Sequence, residues 1–284
     1  MNQSNSQPRN RGRTRSRRAR NIPVKVESAS GNRGVIRNFY HRLLHTWGPQ
    51  HWWPGETPLE VVVGAFLTQN TSWTNVELAL KQLRAANLLT LEGLRRTPTR
   101  KLEKLIRSSG YFRQKAARLK AFVAFVDQKY CGSLEQMFVT PTAQLREQLL
   151  ALNGIGPETA DSILLYAGQH AVFVVDAYTR RIVDRHGILP EAAPYEDIRR
   201  LFEESLKQVK IGRQGDGMTD ATPAETFPAS HSPSPMSMAA RSPEAQAYNE
   251  MHGLIVSIGK NYCRKAGGQC EQCPLRSYLP GYHE

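Results

Sequence analysis

The chain has 284 residues, with 38 Lys and Arg against 25 Asp and Glu, four Cys and 40% hydrophobic residues. That apolar content supports one or two packed cores and excludes wholesale disorder. The longest apolar runs, such as Val61 to Leu67, fall far short of the roughly 20 residues that cross a bilayer. The basic N-terminus runs into no apolar signal segment, and three of the four Cys crowd between 263 and 273. A secreted disulfide framework is therefore not expected. The expectation is a soluble, cytoplasmic protein with no membrane partner, nucleoid-associated if bacterial.

The net charge of +13 is uneven, because residues 1 to 25 hold eight cations and no acid. Residues 1–33 are expected to form a disordered basic arm. A polyanion is its natural partner, since each phosphate neutralised releases counterions. A solubilising tail, or a start codon placed upstream of the true one, would account for it equally simply.

In chain order, residues 34 to about 211 read as a succession of amphipathic helices. Leu78, Leu80 and Leu83, then Leu88, Leu91 and Leu94, then Leu102, Leu105 and Ile106 recur at helical spacing, with breaks such as Arg96 to Thr99. Leu119, Phe122, Val123 and Val126 continue the pattern, followed by Leu145, Leu149 and Leu150. Further helices are expected over Glu158 to Ala167, Tyr178 to His186 and Tyr195 to Val209. The strand-like run Ala171 to Val175 is too isolated to build a sheet, so the fold class is all-α. Residues 212–243 contain five Pro and no Leu, Ile or Val, and are expected to be a disordered insertion. A last helix, about Ala245 to Lys260, leads into the cysteine loop 263–273.

Between two helical segments stands Leu152-Asn153-Gly154-Ile155-Gly156-Pro157-Glu158-Thr159-Ala160. Alternate glycines allow positive φ and close approach of a foreign backbone. Pro157 suits a first helical position, which leaves backbone N–H groups free for an anion such as DNA phosphate. Alone, the pattern reads first as an ordinary helix–turn–helix link. Twenty residues beyond Gly156 follows Val174-Val175-Asp176-Ala177-Tyr178-Thr179. An Asp at such a place is a ready N-cap.

The order of hairpin, helix, apolar run and Asp resembles the helix-hairpin-helix DNA glycosylases of the endonuclease III superfamily. The resemblance spans residues 38 to 276 and is carried also by Leu67 to Thr71 and by Ser109 to Ala116. His51 to Pro54 and Gly64 to Trp73 look most like the 3-methyladenine DNA glycosylase III branch. It implies a two-lobed fold with a cleft between the lobes. One lobe would be a helical barrel, 57–168; the other is discontinuous, 34–56 plus 169–284. It implies Asp176 as the catalytic carboxylate, stabilising an oxocarbenium-like transition state. A base pocket would be formed by Trp52, Pro54, Trp73 and Glu158. Asn153, Gly154, Ile155, Gly156 and Thr159 would contact DNA backbone, with Gln69 and Tyr111 as wedge residues filling the space of a flipped nucleotide.

A cationic alkylated purine over an indole gains roughly 0.5–2 kcal/mol, although core packing would explain each Trp as well. Bifunctional members of the family carry Lys where this chain has Glu158, and a carboxylate cannot form an imine. The expected activity is therefore monofunctional hydrolysis of an N-glycosidic bond, on a damaged and alkylated purine in double-stranded DNA, by a monomer. A mismatch-base glycosylase and a non-catalytic lesion-recognition protein remain alternatives.

Cys263, Cys270 and Cys273 match three ligands of the family's Cys-x6-Cys-x2-Cys-x5-Cys loop, which implies a [4Fe–4S] cluster. Leu279 stands where the fourth Cys belongs. His283, Cys131, an exogenous thiolate or water are the alternatives for that place, and a loop that has lost its metal is another.

Overall fold

The computed structural model describes residues 29–207, 209 and 232–282. Among these residues the fold is all-α, with twelve α-helices and no strand. The elements are α1 (Ala29–Trp47), α2 (Pro58–Thr68), α3 (Trp73–Ala85), α4 (Leu91–Arg96), α5 (Thr99–Leu105), α6 (Phe112–Tyr130), α7 (Leu134–Phe138), α8 (Thr142–Leu150) and α9 (Pro157–Ser162). A π turn, Ile163–Ala167, extends α9, and α10 (Ala177–Arg185), α11 (Tyr195–Leu206) and α12 (Pro243–Asn261) complete the set. No helix among the described residues is long and apolar enough to cross a membrane.

Local chemistry marks the helix starts. Thr57 caps α2 by accepting from the Glu60 N–H at 3.2 Å, and Pro58 takes the first helical position. Ser242 caps α12 in the same way, followed by Pro243. Side-chain oxygens at these positions satisfy N–H groups that the helix leaves open.

α2 is buried on every side from Leu59 to Leu67, and packs against α3, α6, α9 and the π turn. A helix apolar all round belongs at the centre of a fold. The helices α1, α10, α11 and α12 pack among themselves, and the π turn touches both α2 and α12. The buried side chains form one continuous cluster across both groups. Leu78 departs from the helical pattern: it is exposed, because α3 buries Val76, Ala79, Leu80 and Leu83 instead.

Two expectations are corrected. Residues 29–33 belong to α1 rather than to a disordered arm; Asn32 donates to Ile188 O at 3.2 Å and Arg33 pairs with Glu204 at 2.9 Å. Residues 1–28 lie outside the described set. The stretch 232–243 is ordered although it has no Leu, Ile or Val. Met236 is buried, its N–H donates to Gly55 O at 3.1 Å, and Ser234 Oγ accepts from the Gly55 N–H at 3.2 Å. One methionine and a set of backbone bonds thus anchor it beside Trp53; residues 212–231 of the expected insertion lie outside the described set.

The strand-like run is irregular chain that crosses the core. Val172 to Val175 are almost fully buried, and two of their N–H groups are satisfied by side chains rather than by a neighbouring strand. The Phe173 N–H donates to Glu203 Oε1 at 3.0 Å and the Val175 N–H to Tyr195 Oη at 3.2 Å. This anchored segment delivers Asp176 to the start of α10.

Candidate active site and nucleic-acid interface

Asp176 is the N-cap of α10. Its Oδ1 accepts from the Thr179 N–H at 2.7 Å and from Thr179 Oγ1 at 2.8 Å. Capping occupies that one oxygen, and Oδ2 faces His252 Nε2 at 3.7 Å. His252 is buried on α12, and its Nδ1 lies 2.6 Å from the hydroxyl of Tyr166, which is buried in the π turn. Burial pushes the His252 imidazole below its ordinary value while Asp176 opposes the shift. The ring is therefore neutral at pH 7. If Tyr166 donates to Nδ1, the ring proton sits on Nε2, where Asp176 Oδ2 at 3.7 Å is near enough for a charge–dipole contact but too far for a hydrogen bond. The result is a Tyr166–His252–Asp176 line drawn from three separate elements.

Beside this line stands an aromatic cluster. Ring centroids lie 5.3 Å apart for Trp52 and Trp53, 5.1 Å for Trp53 and Trp73, 6.1 Å for Trp52 and Trp73, and 5.1 Å for Trp53 and Tyr166. Trp52 and Trp53 are only 5% and 6% exposed, Trp73 and Pro54 half-buried. The Lys260 ammonium lies 5.7 Å from the Trp52 ring centroid. Gly64 on α2 makes room for this packing, because a Cβ there would come within 3.2 Å of the Trp53 indole.

α12 positions the tryptophans and His252 together. Asn249 Nδ2 donates to Trp52 O at 2.6 Å, and the Gln50 N–H donates to Glu250 Oε1 at 2.6 Å. Ser257 Oγ donates to Gln50 Oε1 at 2.6 Å. Gly253 lies between these residues, where a Cβ would be 3.0 Å from those of both Gln50 and Trp52. Burial pushes the Glu250 carboxyl up to about 7, with the Gln50 N–H opposing.

Glu158 lies near Asp176 in the first turn of α9. Part of the side chain reaches solvent, yet the surrounding protein and then the charge of Asp176 push its carboxyl up to about 7, against Arg180. Two neighbouring carboxylates that share a site resist ionising together.

The hairpin is as local chemistry requires. Gly154 has φ +82, and a Cβ would fall 2.0 Å from Arg118 Nε. Ile155 is buried and anchors the turn, while Asn153 and Gly156 are exposed. Gln69, expected to reach an orphan base, is instead tied to the hairpin: its Nε2 donates to Gly154 O at 3.0 Å and to Thr159 Oγ1 at 2.9 Å, and Arg118 donates to its Oε1. Thr159 is buried by the same contact. Tyr111 stands out into solvent, 66% exposed, on a left-handed residue at φ 44. Beneath it the buried Lys115 donates to Leu67 O at 2.8 Å and Ser109 O at 2.6 Å. Burial, and then Arg118, lower its ammonium to about 8.

Cys263, Cys270 and Cys273 line one small cavity, and Leu279 lines it with them. Arg185 Nη1 donates to Cys263 Sγ at 3.2 Å. Burial and the neighbouring thiols push the Cys273 thiol up to about 11, although a bond from Leu275 opposes this. Cys131 is exposed and does not line the cavity, and His283 lies outside the described residues. Among the described residues no three His, Cys, Asp or Glu side chains gather as ligands of a metal ion. Leu279 offers only hydrocarbon, so this chain does not complete a four-thiolate set.

His252, Tyr166 and Trp53 are the site residues that sequence reasoning missed. The available signal was polarity out of place: Asn249, Glu250 and His252 interrupt a helix that is otherwise apolar and buried. Buried polar groups of this kind need partners.

The model of the HhH-GPD superfamily base excision DNA repair proteins matches residues 63–208. A relative from Methanocaldococcus jannaschii, named as a DNA repair glycosylase, is 39% identical over 246 residues, covering 86% of this chain and 95% of its own. Endonuclease III of Thermotoga maritima is 25% identical over 79% of this chain and 84% of its own. Among solved structures, H. pylori 3-methyladenine DNA glycosylase (MagIII) bound to 1,N6-ethenoadenine superposes with a TM-score of 0.61 and 27% identity, over 81% of this chain and 97% of that one. An endonuclease III–DNA covalent intermediate shares the fold, with a TM-score of 0.64 and 19% identity, over 87% of this chain and 95% of that one. By the family-model match and the Methanocaldococcus jannaschii relative, the chain belongs to the HhH-GPD superfamily and is a DNA glycosylase of base excision repair.

Proposed function

We propose that the protein hydrolyses the N-glycosidic bond of an alkylated purine flipped out of double-stranded DNA, acting as a monomer and without cutting the strand. The observation that carries this reading is the placement of Asp176 Oδ2, free of the cap and backed by His252, beside the tryptophan cluster. Likeness to a 3-methyladenine DNA glycosylase structure that holds a modified adenine supports the substrate class.

An alkylated purine that carries positive charge leaves as a neutral base when it takes the electron pair of the C1′–N bond. The site needs no strong general acid. The sugar becomes oxocarbenium-like, and the Asp176 carboxylate stabilises that charge. Water adds to C1′ and loses its proton to Asp176 or to solvent. Thr179 holds the Asp176 carboxylate, His252 faces its second oxygen at 3.7 Å, and Tyr166 bonds the far side of the His252 ring. The half-buried Trp73 offers an indole face to the cationic base, with the buried Trp52 behind it, Pro54 beside them and Glu158 at the rim. The exposed Tyr111 fills the vacated stack, while Asn153, Gly154, Ile155, Gly156 and Thr159 hold the backbone. Gln69 braces that hairpin and would reach the orphan base only by exchanging its present bonds.

Glu158 in place of an amine supports the absence of a lyase step. The three thiols around one cavity, with Leu279 in the fourth place, are the remains of a cluster loop and do not support a complete [4Fe–4S] ligand set. The test of the reading is single-turnover release of free base from duplexes carrying 3-methyladenine, 7-methylguanine, uracil or thymine glycol, with and without alkali. Release of the methylated purine, with breaks only after alkali, is expected. Breaks without alkali would overturn the monofunctional assignment and make Lys260, above Trp52, the amine to replace.

A further inference from the structure

One cationic surface has no part in the site described above. Arg100, Lys104, Arg107 and Arg113 line an open groove between α5 and the start of α6, with Glu103 its lone acid and Phe112 at its base. All four cations are exposed. Two of the guanidinium groups lie over the aromatic ring, Arg107 at 5.9 Å and Arg113 at 5.7 Å from the Phe112 centroid.

Several arginines elsewhere find carboxylates: Arg84 pairs with Glu60, Arg95 with Asp127, Arg146 with Asp161 and Arg199 with Glu203. Among the described residues no carboxylate pairs with any of the four groove cations. A groove that concentrates unpaired positive charge and orients it on an aromatic base is suited to a polyanion.

Its position says which one. Tyr111 immediately precedes α6 and projects at the groove's end of that helix. Two turns further along α6, Arg118 meets the hairpin at Gly154 and Gln69. At about 1.5 Å per residue, hairpin contact and Tyr111 are separated by roughly 10 Å along the helix. The hairpin and Asp176 serve the strand that carries the flipped nucleotide, and Tyr111 enters the stack between the two strands.

We infer that the groove of Arg100, Lys104, Arg107 and Arg113 binds the phosphate backbone of the undamaged strand of the same duplex. This rests on the proposed excision of a base flipped from duplex DNA. The groove keeps the opposite strand in place while the lesion strand is distorted, and it reads phosphate rather than sequence.

The test uses the full-length protein, its Arg100→Gln/Lys104→Gln/Arg107→Gln variant, and a lesion duplex with neutral methylphosphonates on one strand or the other. Affinity is measured by fluorescence anisotropy across salt concentrations. The variant should flatten the slope of log K against log salt by about 2.7, or 0.9 for each phosphate lost. Methylphosphonates on the undamaged strand should reproduce that loss and add nothing further to the variant, whereas those on the lesion strand should add fully. An unchanged slope, or failure to add on the lesion strand instead, overturns the inference. Base release by the unaltered protein on the same duplex reports separately on the glycosylase reading. Release with no change of slope in the variant sinks the groove alone.

Discussion

His252 Nε2 faces Asp176 Oδ2 at 3.7 Å while its Nδ1 is held by Tyr166 at 2.6 Å, so a buried neutral imidazole joins the π turn to the cleft carboxylate. Each partner has a separate source in the chain, yet each is needed for the orientation of the next. At 3.7 Å the imidazole acts on the carboxylate as a charge–dipole contact rather than a hydrogen bond, worth at most about 1 kcal/mol, or about fivefold in rate. His252→Asn and Tyr166→Phe should each lower single-turnover base release by about that factor while leaving duplex affinity within about twofold. The double variant should lose little more than His252→Asn alone, because the two act through one line. Full additivity would show that Tyr166 works independently of His252.

Asp176 has two roles that two substitutions separate. Asn keeps a side-chain oxygen for the Thr179 N–H but loses the charge; Ala loses both. Asp176→Asn should reduce base release by roughly 10²–10³-fold with stability nearly intact. Asp176→Ala should in addition destabilise the fold by about 1 kcal/mol, as capping losses do. Urea denaturation and single-turnover kinetics on the two variants check this. Undiminished base release in the Asn variant would remove Asp176 from the chemistry.

The Glu158 carboxyl is raised to about 7 by its surroundings and by Asp176. As pH rises through 7, Glu158 ionises beside Asp176 and adds negative charge near the developing sugar cation. Base release should therefore increase from pH 6 to 8, and Glu158→Gln should flatten this limb. Because the folded-state value lies above the ordinary carboxylate value, Glu158 favours the fold least above pH 7 and progressively more as pH falls towards 4.5. Rate–pH profiles of both proteins measure the effect, and an unchanged limb in the Gln variant would assign it to another group.

Leu279 completes the wall of the cavity that Cys263, Cys270 and Cys273 face. With three thiolates, iron and sulfide incorporated by anaerobic reconstitution should be lost on gel filtration. Leu279→Cys should retain about four iron per chain, the complement of a four-thiolate cluster. Iron and sulfide analysis, with visible absorbance near the thiolate–iron bands, reads this without reference to activity. Equal retention by both proteins would show that the fourth position does not limit the site.

Much of this protein is written in local sequence. The all-helical class follows from leucine spacing, and the hairpin from Gly154, Gly156 and Pro157, because turn and helix-start chemistry act over a few residues. The Asp176 cap, the carboxylate at 158 and the three thiols of the terminal loop are legible for the same reason. Tertiary structure alone decided the rest. Tyr166 and His252 are 86 residues apart, Gln69 is bound to a hairpin 85 residues away, and Asn249 reaches a carbonyl 197 residues away. No periodicity reports such pairs, since a buried polar group chooses its partner from whatever the packed core brings within hydrogen-bond reach. Residues 232–243, poor in aliphatic side chains, became ordered for that reason too: the anchors at Gly55 and Trp53 come from the far end of the chain.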